Sequence, residues 1–279
     1  MQSAYVRDYQ EHGFAVVRGV FAAHEVTALA EAFNRVHERG MAYPASYRDG
    51  NVLFRQGRDA RLGRVLRLVQ WPSYFDTTLD RMRKDLRMLA ILAPLIGEDI
   101  KQIINQMHWK TPGAAATEFG YHQDIRFRRP REAYRNTLWS YVQTGTAIDR
   151  HRAMNGGMTF LPGSHRLGEL DIPGQGAVMD QAAEAAALEG LGLDSAKLVR
   201  LELEPGDMAL WNLYAVHGSH TNRSVMDRRF YINGYVRADD CDRGAWTFRR
   251  GAPVDLGAPV LIHYDDLYRR PGPHFVDAA

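Results

Sequence analysis

Apolar residues recur at two different spacings along this chain, and the spacing changes near residue 100. Early on, "GFAVVRGVF" (13–21) is short and β-rich and predicts a strand. Val26, Leu29, Ala30, Phe33 and Val36 then share one helical face, and "ERG" closes that helix with glycine. A second helix is expected from about Thr77 to Ile96, with Leu79, Met82, Leu86, Leu89 and Ala93 along one side. Beyond residue 100 the pattern becomes short alternating or wholly apolar runs, broken by "TPG", "NGG", "LPGSH" and "EPGD", the turn signals of a strand-rich core. A mainly β chain with flanking helices is therefore expected, built on a sandwich or barrel. No internal repeat or linker divides it. One domain is expected, with a helix-and-strand part at about 1–99 packing on a β core at about 100–240, and a C-terminal extension over 241–279. The alanine- and glycine-rich stretch from Gly174 to Gly192 reads either as a surface excursion or as a lid over one end of the barrel.

Composition narrows the function classes. The chain of 279 residues is 45% apolar and 24% charged, the balance of an ordinary globular protein with a sizeable core. A net charge of +2 is too small to argue for nucleic acid or an anionic membrane as partner. The longest apolar run, "MLAILAPLI" (88–96), is nine residues long and contains Pro94, whereas about 20 are needed to cross a bilayer. The N-terminus lacks a basic region followed by an apolar run, so no signal peptide is expected. The single cysteine, Cys241, rules out an intrachain disulfide and a cysteine-rich zinc site. A cytoplasmic protein acting on a small molecule is the expectation, with no membrane and no nucleic-acid partner.

The candidate chemistry begins at "YHQDIRFRRP" (121–130). On a strand, His122 and Asp124 point to the same face because side chains alternate with period two, so a metal above that face can bind both. Two imidazoles with one carboxylate suit a divalent ion of intermediate softness and leave positions open. His-x-Asp alone is a weak signal among eleven histidines, and "IHYDD" repeats it with His263 and Asp265. Spacing separates the two pairs. A jelly roll delivers the third ligand from a much later strand. Only His274 follows the second pair, whereas His217 in "LYAVHGSHTNRS" lies 93 residues after Asp124.

Three blocks, "YHQDIRFRRP", "NGGMTFLPGSHR" (155–166) and "HGSHTNRSVMDRR" (217–229), occur in order behind "DYQEHGFAVVRGVF". Together they resemble the phytanoyl-CoA dioxygenase family, non-haem iron and 2-oxoglutarate-dependent oxygenases, from about residue 8 to about residue 238. The resemblance implies a double-stranded β-helix (jelly-roll, cupin-like) core with Fe(II) held by His122, Asp124 and His217, and with 2-oxoglutarate and O2 as cosubstrates. It places the arginine for the distal carboxylate of 2-oxoglutarate at Arg228, eleven residues after His217, with Arg229 and Arg223 as alternatives. It also assigns Ser219 a hydrogen bond to that carboxylate and Trp139 a place in the pocket wall. The reaction implied is hydroxylation (or desaturation) of an unactivated C–H of a small metabolite, releasing succinate and CO2. Related halogenases carry a small residue where Asp124 stands. The competing readings are a cupin-like metal enzyme that does not use 2-oxoglutarate and a non-catalytic β-sandwich with a structural metal.

Other polar residues have plainer readings. His165 is expected to hold a turn and His220 to lie at the surface. Alternation along "INQMHWK" leaves open which of Asn105, Gln106, His108 and Lys110 reach the pocket. Arg126 and Arg128 share the metal-bearing face if the strand continues past Asp124. There they would meet an anionic group on the substrate, the other reading of this arginine run being a solvated loop.

Overall fold

The computed structural model describes residues 3–114, 117–173, 181–258 and 270–276. In chain order its first elements are helix α1 (Ala4–His12), strand β1 (Phe14–Val17), helix α2 (Ala23–Ala42), strands β2 (Tyr47–Asp49), β3 (Val52–Asp59) and β4 (Gly63–Gln70), and helices α3 (Thr77–Arg83) and α4 (Leu86–Ile96). The strand-rich part follows: β5 (Ile100–Lys110), β6 (Phe119–His122), β7 (Tyr141–Ala147), β8 (Met158–Phe160), helix α5 (Ala186–Glu189), β9 (Val199–Arg200), β10 (Met208–Trp211), β11 (His217–Ser219) and β12 (Arg228–Arg237). Three short strands end the chain: β13 (Ala245–Arg249), β14 (Ala252–Pro253) and β15 (His274–Phe275).

Two sheets face each other as a double-stranded β-helix, the expected jelly-roll core. The larger runs β1-β10-β7-β12-β5-β4-β3-β2-β15, with β13 also paired to β5; the smaller runs β6-β11-β8-β9. All strand pairings among the described residues are antiparallel. Strands from the first hundred residues are part of the larger sheet: β1 pairs with β10, and β4 pairs with β5.

The helices cover the outer face of that sheet. In α2 the expected stripe is buried at Val26, Leu29, Phe33 and Val36 and half-buried at Ala30. Leu29, Phe33 and Val36 pack with Phe54, Leu66, Val69, Met107 and Tyr231. Each such side chain contributes about 1.5–3 kcal/mol on burial, which is what holds the helix on the sheet. The single helix expected over Thr77–Ile96 is instead two. Asp85 breaks it by acting as a fresh N-cap, accepting a hydrogen bond from the Arg87 N–H at 2.9 Å, as Asp76 does for α3 from Thr78 and Leu79. Pro94 sits inside α4.

Long β12 runs through the middle of the larger sheet and has two different faces. Tyr231 and Tyr235 point outward beneath the helices, their hydroxyls donating to the carbonyls of Leu79 and Arg83 at 3.0 and 2.7 Å. Arg228, Phe230 and Ile232 point into the cavity between the sheets. The part of the Gly174–Gly192 stretch proposed as a lid that covers 174–180 lies outside the described residues, as do His263 and Asp265; α5 forms within the remainder. No described helix is long and apolar enough to cross a membrane.

Candidate metal centre and its cavity

The two sheets enclose a cavity of about 820 Å³, and His122, Asp124 and His217 lie in its wall. His122 and His217 sit directly opposite each other in the β6–β11 pair, with ring centroids 4.2 Å apart. Asp124 completes the cluster, at 3.5 Å from His122 Nε2 and 3.8 Å from His217 Nε2. One donor atom from each of the three lies within 4.8 Å of the others, and all three side chains are buried.

The expected strand through Asp124 does not form. β6 stops at His122, and Asp124 opens a turn of 3-10 helix, Asp124–Phe127. Gln123 makes this turn. Its side-chain amide donates to the carbonyls of Gly168 and Tyr214 at 2.9 and 2.7 Å and its oxygen accepts from the Leu170 N–H at 2.7 Å. The Ile125 N–H meets the Leu213 carbonyl at 3.0 Å. The carboxylate therefore reaches the histidines by a pinned turn rather than by β alternation.

Partners behind the cluster orient it. Each histidine has Nδ1 next to a backbone carbonyl, His122 to Gly120 at 2.7 Å and His217 to Ala215 at 2.9 Å. That leaves both Nε2 atoms as the lone-pair donors facing Asp124. Asp124 Oδ2 accepts from Trp211 Nε1 at 2.9 Å and from Gln143 Nε2 at 3.1 Å. Burial alone would raise the Asp124 carboxyl, but His217, His122 and Arg128 outweigh it and hold it far below the ordinary carboxylate range. Burial, and then the neighbouring His122, lowers His217 to about 4, so at neutral pH it is a neutral imidazole. An ionised carboxylate and neutral imidazole nitrogens are the donor set that suits a non-haem ferrous ion, with no fourth protein ligand closing the site among the described residues. Trp211 and Gln143 went unnoticed in the sequence, where each is one residue of an ordinary strand pattern.

The remaining candidates divide. Arg228 lines the cavity, is 3% exposed, and has no hydrogen-bond partner at Nε among the described residues. Burial pulls its guanidinium down to about 9, with only Asp149 opposing. Its neighbour Arg229 faces the other way and is engaged by Asp149 through Nε and Nη2 at 2.9 and 2.8 Å. Ser219 and His108 are also in the cavity wall, as is Gln106, whereas Asn105 belongs to an outward network with Tyr231 and Asn233. Lys110 is buried behind β11, hydrogen-bonded to the Ser219 carbonyl at 3.2 Å and to the His220 carbonyl. His165 is buried, with Nε2 3.2 Å from the Gln10 carbonyl, and His220 is half-buried.

Two expectations fail. Trp139 does not line the pocket. A turn at Asn136, in left-handed backbone, leaves it just ahead of β7, 50% exposed and edge-on to His165. Arg126 and Arg128 do not share a strand face, because the chain there is 3-10 turn. Arg126 lies over the Phe127 ring and is not among the cavity-lining residues, whereas Arg128 is buried in the cavity wall.

A model of the family described as phytanoyl-CoA dioxygenase matches residues 9–230. A Stutzerimonas stutzeri protein named as a probable alpha-ketoglutarate-dependent hypophosphite dioxygenase is 26% identical over 233 residues, covering 84% of this chain and 78% of that protein. Among solved structures, the epimerase SnoN in complex with Fe3+, alpha ketoglutarate and nogalamycin RO is similar with a TM-score of 0.62 at 23% identity, over 92% of this chain and 96% of that one. EctD from S. alaskensis with 2-oxoglutarate and 5-hydroxyectoine is similar with a TM-score of 0.66 at 18% identity, over 92% of this chain and 86% of that one. At these identities the likeness to solved structures is one of fold.

Proposed function

The chain belongs to the phytanoyl-CoA dioxygenase family, and from that premise we propose that it is an Fe(II)- and 2-oxoglutarate-dependent dioxygenase that hydroxylates a C–H of a small anionic metabolite. The observation that carries this reading is a buried two-histidine, one-carboxylate cluster sharing a cavity with a buried arginine that lacks a full set of partners. In this reading His122, Asp124 and His217 hold the metal, and Arg228 with Ser219 receives the distal carboxylate of 2-oxoglutarate. Ferrous iron with 2-oxoglutarate and O2 supplies the oxidising power, releasing succinate and CO2.

The chain's own residues bind, orient and exclude water. His122 and His217 present Nε2 because their Nδ1 atoms are held by carbonyls. Trp211 and Gln143 fix the Asp124 carboxylate in one orientation. Trp211, Phe230 and Met158 make part of the cavity wall apolar, which strengthens each charged contact within it. The guanidinium of Arg228 is already desolvated and gains most from a carboxylate partner, to which its fork can make two parallel hydrogen bonds. A metal enzyme without 2-oxoglutarate leaves that arginine unexplained. The relative named for hypophosphite makes an oxyanion substrate a reasonable model for this chain, although a cavity of about 820 Å³ has room for a larger metabolite beside the cosubstrate.

The test is succinate release from 2-oxoglutarate under air with ferrous iron and ascorbate. Uncoupled turnover above the iron-only background is expected even without the true substrate. No 2-oxoglutarate binding to the metal-loaded protein would overturn the reading. A further expectation concerns the positioning residue Trp211. Trp211→Phe removes one donor to Asp124 while keeping an aromatic ring, so the ferrous affinity in a metal titration should fall about 10–100-fold. Affinity for 2-oxoglutarate at saturating metal should stay within about twofold, because the indole N–H hydrogen-bonds Asp124 and not Arg228 or Ser219. Loss of both together would mean that the ring acts through packing alone.

A further inference from the structure

Arg128 is 1% exposed, lines the cavity, and has no hydrogen-bond partner at either Nε or Nη2. No ion pair to it occurs among the described residues, although Arg129 and Arg131 on the same loop both pair with Glu169. A guanidinium taken out of water without a partner is costly when no counter-ion follows it. Asp124 lines the same cavity but makes no ion pair with Arg128. Asp124 is already committed to Trp211 and Gln143 and faces both histidines. Arg228 is a separate subsite: its charge acts on His108, Lys110 and His151 instead.

The charged side chains buried in the cavity wall are Asp124, Arg228 and Arg128. The doubly positive metal and Arg228 are balanced by Asp124 and the two carboxylates of 2-oxoglutarate, and Arg128 has no counterpart. Further positive charge lies where the wall is exposed, on Arg58 and Arg64 of the β3–β4 hairpin. We propose that Arg128 is the receptor for an oxyanion group of the substrate, a carboxylate or a phosphoryl group, so that the substrate supplies the missing negative charge beside the metal. The proposal rests on the dioxygenase reading and adds to it the residue that anchors the substrate's anionic group. Arginine fits because its planar fork meets two oxygens of either group in parallel. The hydroxylated carbon then lies within the span between Arg128 and the metal cluster, which line the same cavity.

The experiment uses the full chain loaded anaerobically with nickel(II) and 2-oxoglutarate, so that no turnover occurs, and titrates it calorimetrically with propionate, methylphosphonate and inorganic phosphate. Wild type should bind at least one of them at a single site, and the order of the three distinguishes a carboxylate from a phosphoryl receptor. Arg128→Gln should weaken that binding at least about tenfold while leaving 2-oxoglutarate affinity within about twofold. Arg58→Gln, at the exposed part of the wall, should change it by less than about threefold. No anion binding to wild type, or equal binding by Arg128→Gln, overturns the proposal. A 2-oxoglutarate defect in Arg128→Gln also overturns it, making the residue a cosubstrate ligand. If wild type binds no 2-oxoglutarate, the parent reading falls instead. The same titration on the metal-only protein then still reads Arg128 directly, weaker binding by Arg128→Gln supporting the receptor role and equal binding refuting it.

Discussion

His217→Ala is expected to lose ferrous iron and succinate release together while remaining folded. His122→Ala should behave the same way. The two residues face each other across the β6–β11 pair, whose hydrogen bonds are made by backbone and survive truncation of either side chain. Each ring's Nδ1 contacts only a backbone carbonyl two residues away in sequence, so truncating either side chain leaves the strand pairing in place. Losing a direct ligand should cost more than the 10–100-fold typical of losing an outer partner, which puts the metal out of reach at micromolar iron. Asp124→Ala should lose metal as completely and differ in stability. It strands Trp211 Nε1 and Gln143 Nε2 in the interior, and each unsatisfied donor costs about 1–3 kcal/mol. Metal content by elemental analysis and thermal unfolding of each variant check both halves. His263→Ala and Asp265→Ala, the second His-x-Asp pair, should keep metal and activity. Near-wild-type iron in His217→Ala would remove the centre from the proposal altogether.

Much of the framework was legible because burial leaves a periodic trace. The α2 stripe from Val26 to Val36 and the turn signals after residue 100 are direct consequences of one face being hidden. The His-x-Asp pair and the distant histidine were visible for a different reason: few residue types can ligate a metal, so their spacing stands out. The route by which Asp124 reaches the histidines was not visible. It depends on three hydrogen bonds of the Gln123 side chain, two donated to the Gly168 and Tyr214 carbonyls and one accepted from the Leu170 N–H, all remote in sequence. Trp211 and Gln143 were missed because a buried donor to a carboxylate looks, in sequence, like any other strand residue. Trp139 was placed in the pocket by resemblance, and a local turn at Asn136 moved it outside. Alternation put Arg228 and Arg229 on opposite faces of β12 but left open which residues of β5 reach the cavity, because that depended on where α2, α3 and α4 packed. The helices cover Tyr231 and Tyr235, which leaves Arg228 and His108 inside.

That same division makes Arg228 and Arg229, adjacent in sequence, opposite in expected phenotype. Arg228→Ala should raise the 2-oxoglutarate requirement about 100-fold, the worth of a charge-assisted bidentate pair at a few kcal/mol, with ferrous affinity little changed. Its effect on the fold should be neutral or stabilising. The side chain is 3% exposed, lacks a partner at Nε, and is pushed by burial toward its uncharged form, so truncation removes a desolvation penalty. Arg229→Ala reverses the pattern. It strands Asp149, which it holds through two side-chain contacts at 2.8 and 2.9 Å in a largely buried setting, so thermal unfolding should occur at lower temperature. Its 2-oxoglutarate requirement should stay near that of wild type. Arg228→Lys keeps a positive charge without the planar fork and should recover only part of the cosubstrate affinity. The measurement is initial succinate release against 2-oxoglutarate concentration for all three variants, alongside unfolding without cosubstrate. A cosubstrate defect in Arg229→Ala with none in Arg228→Ala would mean that the opposite face of β12 serves the cofactor. An unfolding temperature for Arg228→Ala well below wild type would mean that the buried guanidinium is structural, its charge already met within the fold.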